Sequence, residues 1–304
     1  MAEGRASKPS AFSKVRRTQP AAATETFVQF LGPAIAVPDN HDAGKFAPPR
    51  SRSTKHDKKA ASHRPGQAPA VSVVNLKPQP NVPPLIEAAM RGNQPAVRKL
   101  LLDPGTDIHA VNPGTGHSAL HFAALGGHTA IASAFLESGV DVNLLSGQPP
   151  LTALMAAAGQ GHDKTVRMLL GTTGIKVDMA GPDGNTALLV AAFNNKADVV
   201  QRLLQADAQV TLANARTGDT ALMHAAFHGY DEIVRILLKA PHIAVDAINF
   251  LGDSALMCAS LQGHVGIVEQ LIESGADIKL ANPVMGCTAL SLAEGMRIKE
   301  LQAS

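Results

Sequence analysis

The sequence predicts an all-α solenoid of stacked helix–turn–helix units with β-turn fingers, preceded by a disordered N-terminal region. Three observations predict it: a phrase that recurs about every 34 residues, a core nearly without aromatic side chains, and a change of composition near residue 82. Hydrophobic residues make up 45% of the 304 residues, but aromatic residues only 3%, with no Trp and one Tyr. The core must therefore be built from Ala, Leu, Val and Ile, as between closely packed helices.

Residues 1–82 form a basic leader. They contain 13 Lys and Arg against 5 Asp and Glu, a net charge of +8, whereas the rest of the chain has a net charge of −6. Ten of the 20 prolines also lie in the leader. Such a segment cannot bury enough apolar surface to offset its chain entropy, so we predict that it is disordered. One apolar run, FVQFLGPAIAV at residues 27–37, is either a patch without a role or a peptide that orders on a partner or on the body.

The leader also bears short basic clusters, at Arg16–Arg17, Arg50–Arg52 and Lys58–Lys59. Such clusters can serve nucleic acid, an anionic surface or nuclear import, but these have no aromatic residues between them, and we interpret them as a solvated tail. The chain starts without the apolar stretch of a cleavable signal peptide, and it has no apolar run long enough to span a membrane. We therefore expect a cytoplasmic protein, or one that a specialised system secretes into a host cell.

The body repeats one phrase seven times: Ala-Leu or Pro-Leu, with Ala three residues after the Leu. The spacing between successive leucines is 35 residues and then five times 34. These leucines are Leu85, Leu120, Leu154, Leu188, Leu222, Leu256 and Leu290. Self-similarity at this period is the signature of a protein whose units stack on one another.

Residues 183–210 show the order of elements within one period. Gly184 permits a turn, and Thr186 is a helix N-cap residue at the start of a short apolar helix. A break at Asn194-Asn195 precedes a second helix, and Val210 leads into the next loop. The second helix carries an apolar stripe made by Val199, Val200, Leu203 and Leu204.

This order of residues and elements resembles that of the ankyrin repeat family, whose signature is T-P-L-H-x-A followed by G-H, I-V, L-L and G-A-D-V-N. Residues 139–143, GVDVN, nearly match the last part, and the resemblance extends over about residues 83–298. We expect a solenoid over 83–301, in seven repeats of which the first and last are atypical and polar on their outer sides. Their approximate ranges are 83–113, 114–147, 148–181, 182–215, 216–249, 250–283 and 284–301. Repeats three and five lengthen the segment after the second helix by one residue, which predicts altered loops at the outer edge.

The resemblance implies that a protein partner binds the concave side, formed by the first helices and the finger tips. Helical spacing places an apolar row beside a polar row there. Phe193 and Phe227 either contact a partner or fill gaps between repeats, and the Phe250-Leu251 pair at a turn tip favours partner contact. The predicted hot spot lies in repeats four to six. The predicted partner-binding residues are Val190, Phe193, Asn194, Arg216, His224, Phe227, His228, Phe250, Leu251, Leu261 and Gln262.

The residues that could carry chemistry do not assemble into an active site. His224 and His228 have zinc-ligand spacing without a further ligand at motif spacing, and Cys258 has no third group to orient it as a nucleophile. Neither Cys258 nor Cys287 is part of a CxxC motif, and no phosphate loop or hydrolase elbow occurs. For His128, His162 and His264, the resemblance implies structural hydrogen bonds between helices. We predict no catalytic residue, no cofactor and no metal.

Four functions remain open at this point. The first is a monomeric, non-enzymatic scaffold that binds a protein of unknown identity. In the second, the same scaffold is a bacterial effector that is secreted through its unfolded leader, which rests on composition alone. In the third, the leader binds nucleic acid while the repeats recruit a protein. In the fourth, residues 27–37 lie in the groove and inhibit it.

Overall fold

The computed structural model describes residues 81–295. The predicted disorder of the leader, its apolar run and its basic clusters lie outside these residues, as do residues 296–304. The described part is helical without a strand, which confirms the predicted all-α solenoid. Two kinds of helix alternate along it, and a further helical segment begins at Ala289.

The first helices of the units are α1 (Pro84–Met90), α3 (Ala119–Leu125), α5 (Ala153–Gln160), α7 (Ala187–Phe193), α9 (Ala221–His228) and α11 (Ala255–Gln262). The second helices are α2 (Gln94–Leu101), α4 (Thr129–Glu137), α6 (Asp163–Leu170), α8 (Ala197–Gln205), α10 (Asp231–Leu238) and α12 (Val265–Glu273). Each first helix packs on its own second helix and on the first helices before and after it. Two parallel layers of helices result, and each unit packs mainly on its neighbours in sequence, as expected for a solenoid.

Four of the six first helices begin at hydroxyl caps. Thr186 Oγ1 accepts a hydrogen bond from the backbone N–H of Leu189 at 3.4 Å, as the sequence predicts. Thr152, Thr220 and Ser254 cap α5, α9 and α11 in the same way. These bonds satisfy backbone donors that a helix start otherwise leaves unpaired.

The repeated leucines form the centre of the core. Six of the seven are only 1–2% exposed: Leu85, Leu120, Leu154, Leu188, Leu222 and Leu256. The seventh, Leu290, is 66% exposed, because no described unit packs over it. Alanines fill most of the remaining space between the first helices, which lets these helices pack closely.

A β-turn finger precedes each of the later first helices. Isolated antiparallel bridges close fingers five to seven, between Ala213 and Thr220, Ile248 and Ser254, and Ala281 and Thr288. Buried asparagines join successive fingers: Asn214 Nδ2 donates to Asn185 Oδ1 at 2.8 Å, Asn249 Nδ2 to Asp219 Oδ1 at 2.7 Å, and Asn282 Nδ2 to Asp253 Oδ1 at 2.7 Å. This ladder of satisfied buried amides fixes the fingers in one continuous row.

The outer loops differ in repeats three and five, as the sequence predicts. Their second helices α6 and α10 have eight residues, whereas α4, α8 and α12 have nine. The loop that follows has a residue in the left-handed region four positions after the last helical leucine. Repeat three has Gly174 there, with φ of 81°, but repeat five has His242, with φ of 63°.

Candidate functional site

Side chains of α7 and α9 form a cluster of rings at the surface. The Phe193 ring, at the end of α7, lies edge-on to both His224 and His228, with ring centroids 5.4 Å apart in each case. Phe227 lies edge-on to His228 at 5.2 Å. Edge-to-face pairs at these distances are favourable beyond the area they bury. All four side chains are half-buried, so the rings hold one another in place and still face solvent.

Tyr230 completes this arrangement, although it is not among the predicted partner-binding residues. Its ring stacks on His228 with centroids 5.5 Å apart and an interplanar angle of 20°. Tyr230 takes the place that His264 holds in the next repeat, directly after the glycine that ends the first helix. The departure from the Gly-His pair was the signal that could have found it. We call Phe193, His224, Phe227, His228 and Tyr230 the ring cluster.

The two imidazoles of the ring cluster favour their neutral forms. Burial lowers the pKa of His224, and the charge of His228 lowers it further, against the opposing effect of Asp219. Burial also lowers the pKa of His228, with a further contribution from His264. At neutral pH the cluster therefore presents uncharged rings, which combine apolar faces with nitrogen atoms that can form hydrogen bonds.

Two predicted binding residues have structural roles within the solenoid. Val190 is only 5% exposed, so its placement on an exposed row is wrong. A Cβ at Gly159 would lie 2.8 Å from Val190 Cγ1, which shows that Val190 fills the space left by this glycine of the preceding repeat. Asn194 is half-buried, and its Nδ2 donates to the carbonyl oxygen of Val190 at 2.8 Å, where it closes the end of α7.

The remaining predicted residues lie on the fingers and at the end of α11. Arg216 is exposed at the tip of finger five, while Phe250 and Leu251 are 68% and 62% exposed at the tip of finger six. Leu261 is half-buried and Gln262 exposed at the end of α11. The backbone N–H of Phe250 donates to the carbonyl oxygen of Thr217 at 2.9 Å, which holds finger six against finger five.

Finger seven extends the apolar surface of finger six. Val284 and Met285, each 34 residues after Phe250 and Leu251, are 74% and 62% exposed. Asn282 Nδ2 donates to the carbonyl oxygen of Leu251 at 2.9 Å, so the two fingers are in direct contact. We call Phe250, Leu251, Val284 and Met285 the apolar tip patch. Val284 and Met285 could have been predicted from the sequence, because they lie one 34-residue period after Phe250 and Leu251.

Comparison with known proteins identifies the family of this fold. A family model for ankyrin repeats matches in three copies, at residues 85–180, 141–214 and 188–282. The chain belongs to the ankyrin repeat family. Its structure is similar to the crystal structure of the ankyrin repeat domain of Bcl-3, described as a unique member of the IkappaB protein family. That match has a TM-score of 0.64 and 27% sequence identity, and it covers 74% of this chain and 99% of the other. A search of curated protein sequences finds no match.

Ankyrin repeats serve as protein-interaction modules, and on that general level this ankyrin protein is an interaction scaffold. Two of the three histidines between the helices, His162 and His264, have the structural role that the resemblance implied. His162 Nε2 lies 2.8 Å from the carbonyl oxygen of Leu125, and His264 Nε2 lies 3.1 Å from that of Phe227. Since a carbonyl oxygen only accepts, both Nε2–H groups donate, and each bond ties one ankyrin repeat to the preceding one.

The other candidates for chemistry in the ankyrin body are buried or isolated. Cys258 is buried, and burial raises the pKa of its thiol, with smaller contributions from Asp253 and Asp219. A thiol in these surroundings stays protonated and is a poor nucleophile. Over residues 81–295, no three His, Cys, Asp or Glu side chains are placed to hold a metal ion. No helix in that range has the length and apolarity needed to cross a bilayer.

Proposed function

We propose that this ankyrin protein is a non-enzymatic scaffold that holds a protein partner against the concave side of repeats four to six. The ring cluster carries the proposal, because it places five rings from two neighbouring repeats side by side on the surface. Aromatic side chains dominate the hot spots of protein interfaces.

Rigidity supports a binding role for these rings. The Phe193 ring is fixed by contacts with His224 and His228 of the next repeat, and the Tyr230 ring stacks on His228. Side chains that are already ordered lose little freedom when a partner binds, so more of the contact energy appears as affinity. Neutral imidazoles also avoid the cost of burying a charge under the partner.

The interface that we propose extends from the ring cluster along the repeats. It includes Arg216, Phe250 and Leu251 on the fingers, and Leu261 and Gln262 at the end of α11. Val190 and Asn194 support this interface from the interior: Val190 packs on Gly159, and Asn194 caps the end of α7. An apolar side chain of the partner, seated on the rings, fits this surface best.

Affinity capture with the full chain tests this proposal. The test variant is F193E/F227E, which places two carboxylates on the ring cluster. The matched control is Q201E/Q205E, which adds the same two charges at exposed positions of α8, a second helix that carries none of the proposed contact residues. Circular dichroism melting must first show that both variants fold like the wild type.

We expect a set of proteins that the wild type and Q201E/Q205E capture and F193E/F227E does not. Equal capture by all three would contradict the location that we propose for the interface. Loss in both variants would instead indicate a general effect of charge. An enzymatic turnover found in the purified protein and retained in F193E/F227E would contradict the non-enzymatic assignment.

A further inference from the structure

The apolar tip patch has a second candidate occupant within the same chain. We propose that residues 27–37 dock on the patch formed by Phe250, Leu251, Val284 and Met285. This docking goes beyond the proposed function, because it assigns an intramolecular role to the leader and does not require a partner.

The patch is apolar where the neighbouring finger is polar. All four of its side chains are more than 60% exposed, although burial of such apolar side chains is favourable. One repeat earlier, the positions of Phe250 and Leu251 are taken by Arg216 and Thr217. Contiguous exposed apolar side chains of this kind mark interaction sites on soluble proteins.

The leader contains a segment of matching chemistry. Residues 27–37 hold no charged side chain, and two Phe, one Leu, one Ile and two Val are concentrated there. The acidic residues Glu25 and Asp39 flank the segment, and all 18 charged residues and nine of the ten prolines of the leader lie outside it. As the largest apolar segment of the leader, it gains most by covering exposed apolar side chains of the body.

The connecting chain is long enough for this contact. Forty-three residues separate Val37 from residue 81, where the described solenoid starts. A flexible chain of that length has a root-mean-square span of about 36 Å and a maximum of about 140 Å. Finger six lies five units from α1, which at about 10 Å for each pair of packed helices is roughly 50 Å. The tether therefore reaches the patch and holds the segment near it at an effective concentration on the order of 1 mM.

Charge adds a long-range attraction to this tether. The leader has a net charge of +8 and the rest of the chain a net charge of −6. Opposite net charges draw the leader towards the body and raise its local concentration, while the apolar contacts select the patch. The docked segment would cover Phe250 and Leu251, so a partner that uses these side chains would have to displace it.

Photo-crosslinking in the full chain tests the docking directly. We would replace Phe250 by p-benzoylphenylalanine, irradiate the protein at several concentrations and map the crosslinked peptides by mass spectrometry. The same probe in place of Leu102, 84% exposed at the other end of the solenoid, is the control for nonspecific contact. A second probe in place of Met285 covers the case in which the first disturbs finger six. The variant F27S/F30S removes the two aromatic anchors without touching the described body.

We expect the probes at 250 and 285 to crosslink to residues 27–37 with a yield that does not depend on concentration. The yield should fall by about tenfold or more in F27S/F30S, since two buried Phe side chains are lost. Crosslinks to other leader residues, no crosslink to the leader, or a yield unchanged by F27S/F30S would overturn the proposal. A yield that rises with concentration, in a product of twice the mass, would show that a second copy occupies the patch. None of these outcomes depends on the capture experiment with F193E/F227E, so the two proposals fail separately.

Discussion

His121 is the most deeply buried histidine of the described repeats, and its hydrogen bonds explain why it is there. The side chain is 0% exposed, with Nε2 2.8 Å from the carbonyl oxygen of Leu151 and Nδ1 2.8 Å from Ser118 Oγ. Nε2–H must be the donor to a carbonyl, so the neutral ring accepts the Ser118 hydroxyl at Nδ1. Burial, and then the charge of His117, lower the pKa of His121 to about 4, against the raising effect of the backbone bonds.

This pKa makes the stability of the protein sensitive to mild acid. The unfolded chain binds a proton at His121 near pH 6.5, but the folded chain binds it only near pH 4. The stabilisation is therefore complete above pH 6.5 and is lost as the pH falls towards 4, by about 3 kcal/mol in total. We expect H121Q to be less stable at pH 7 and to lose less stability between pH 7 and 4, measured by urea unfolding. The control is H109Q, at an exposed position. Parallel curves for H121Q and the wild type would show that His121 does not carry the effect.

At the scale of one element, the loop after α10 holds a residue under backbone strain. His242 has φ of 63°, in the left-handed region where a side chain clashes with its own backbone. The corresponding residue of repeat three is Gly174, with φ of 81° and no atom within 4 Å of a Cβ placed there. The same loop geometry is thus reached with glycine in one repeat and without it in the other.

The comparison of these two loops predicts that substitutions at positions 242 and 174 change the stability of the protein in opposite directions. H242G should stabilise the protein by about 0.5–1 kcal/mol, because the relief of the clash exceeds the entropy that glycine costs. G174A should destabilise it by about 1 kcal/mol for the converse reason. Urea unfolding at pH 7 measures both changes. If H242G lowered the free energy of unfolding, contacts of the His242 side chain would have to outweigh its backbone strain.

For the molecule as a whole, the free energy of unfolding is approximately a sum of contributions from the units and from the interfaces, here called junctions, between neighbouring units. Leu222 lies at the middle of the solenoid, is 1% exposed and belongs to α9, which packs on both α7 and α11. A defect at this place weakens two junctions at once, whereas a defect at an end weakens one.

Truncation of Leu222 tests this description of the core. L222A should lower the free energy of unfolding by about 2–5 kcal/mol, since it removes buried methyl groups and leaves a cavity. Q160A, at the partly exposed end of α5, should change it little. Chemical unfolding followed by circular dichroism gives both values. Superimposable curves for the two variants would contradict the burial of Leu222.

The sequence was sufficient for the fold because a repeat period fixes the phase of every element. The leucine spacing located the helices, and the one-residue shift after Leu170 and Leu238 located the altered loops. The site was only partly predictable. Helical spacing within α7 gives the direction of Val190 but not the neighbour that covers it, and the missing side chain of Gly159 belongs to another repeat.

Tyr230 is a second residue whose contacts could not be predicted from the sequence. The change from His to Tyr after Gly229 marks this position, but it does not show that the ring stacks on His228 of its own repeat, which in turn contacts Phe193 of the repeat before. The distance between such rings depends on how far one unit is rotated and shifted on the next. A one-dimensional pattern contains the order of the units, but not this rotation.

The asparagine ladder also determines how the protein would respond to a pull on its two ends. Each rung joins residues 29 or 30 positions apart, so tension passes through one junction after another. Elements in series share the same force and add their extensions, which makes the whole more compliant than any single unit. Under a rising load the weakest junction opens first, and each 34-residue unit that unravels releases about 110 Å of slack. The solenoid would therefore lengthen in steps, one unit at a time, before it unfolds completely.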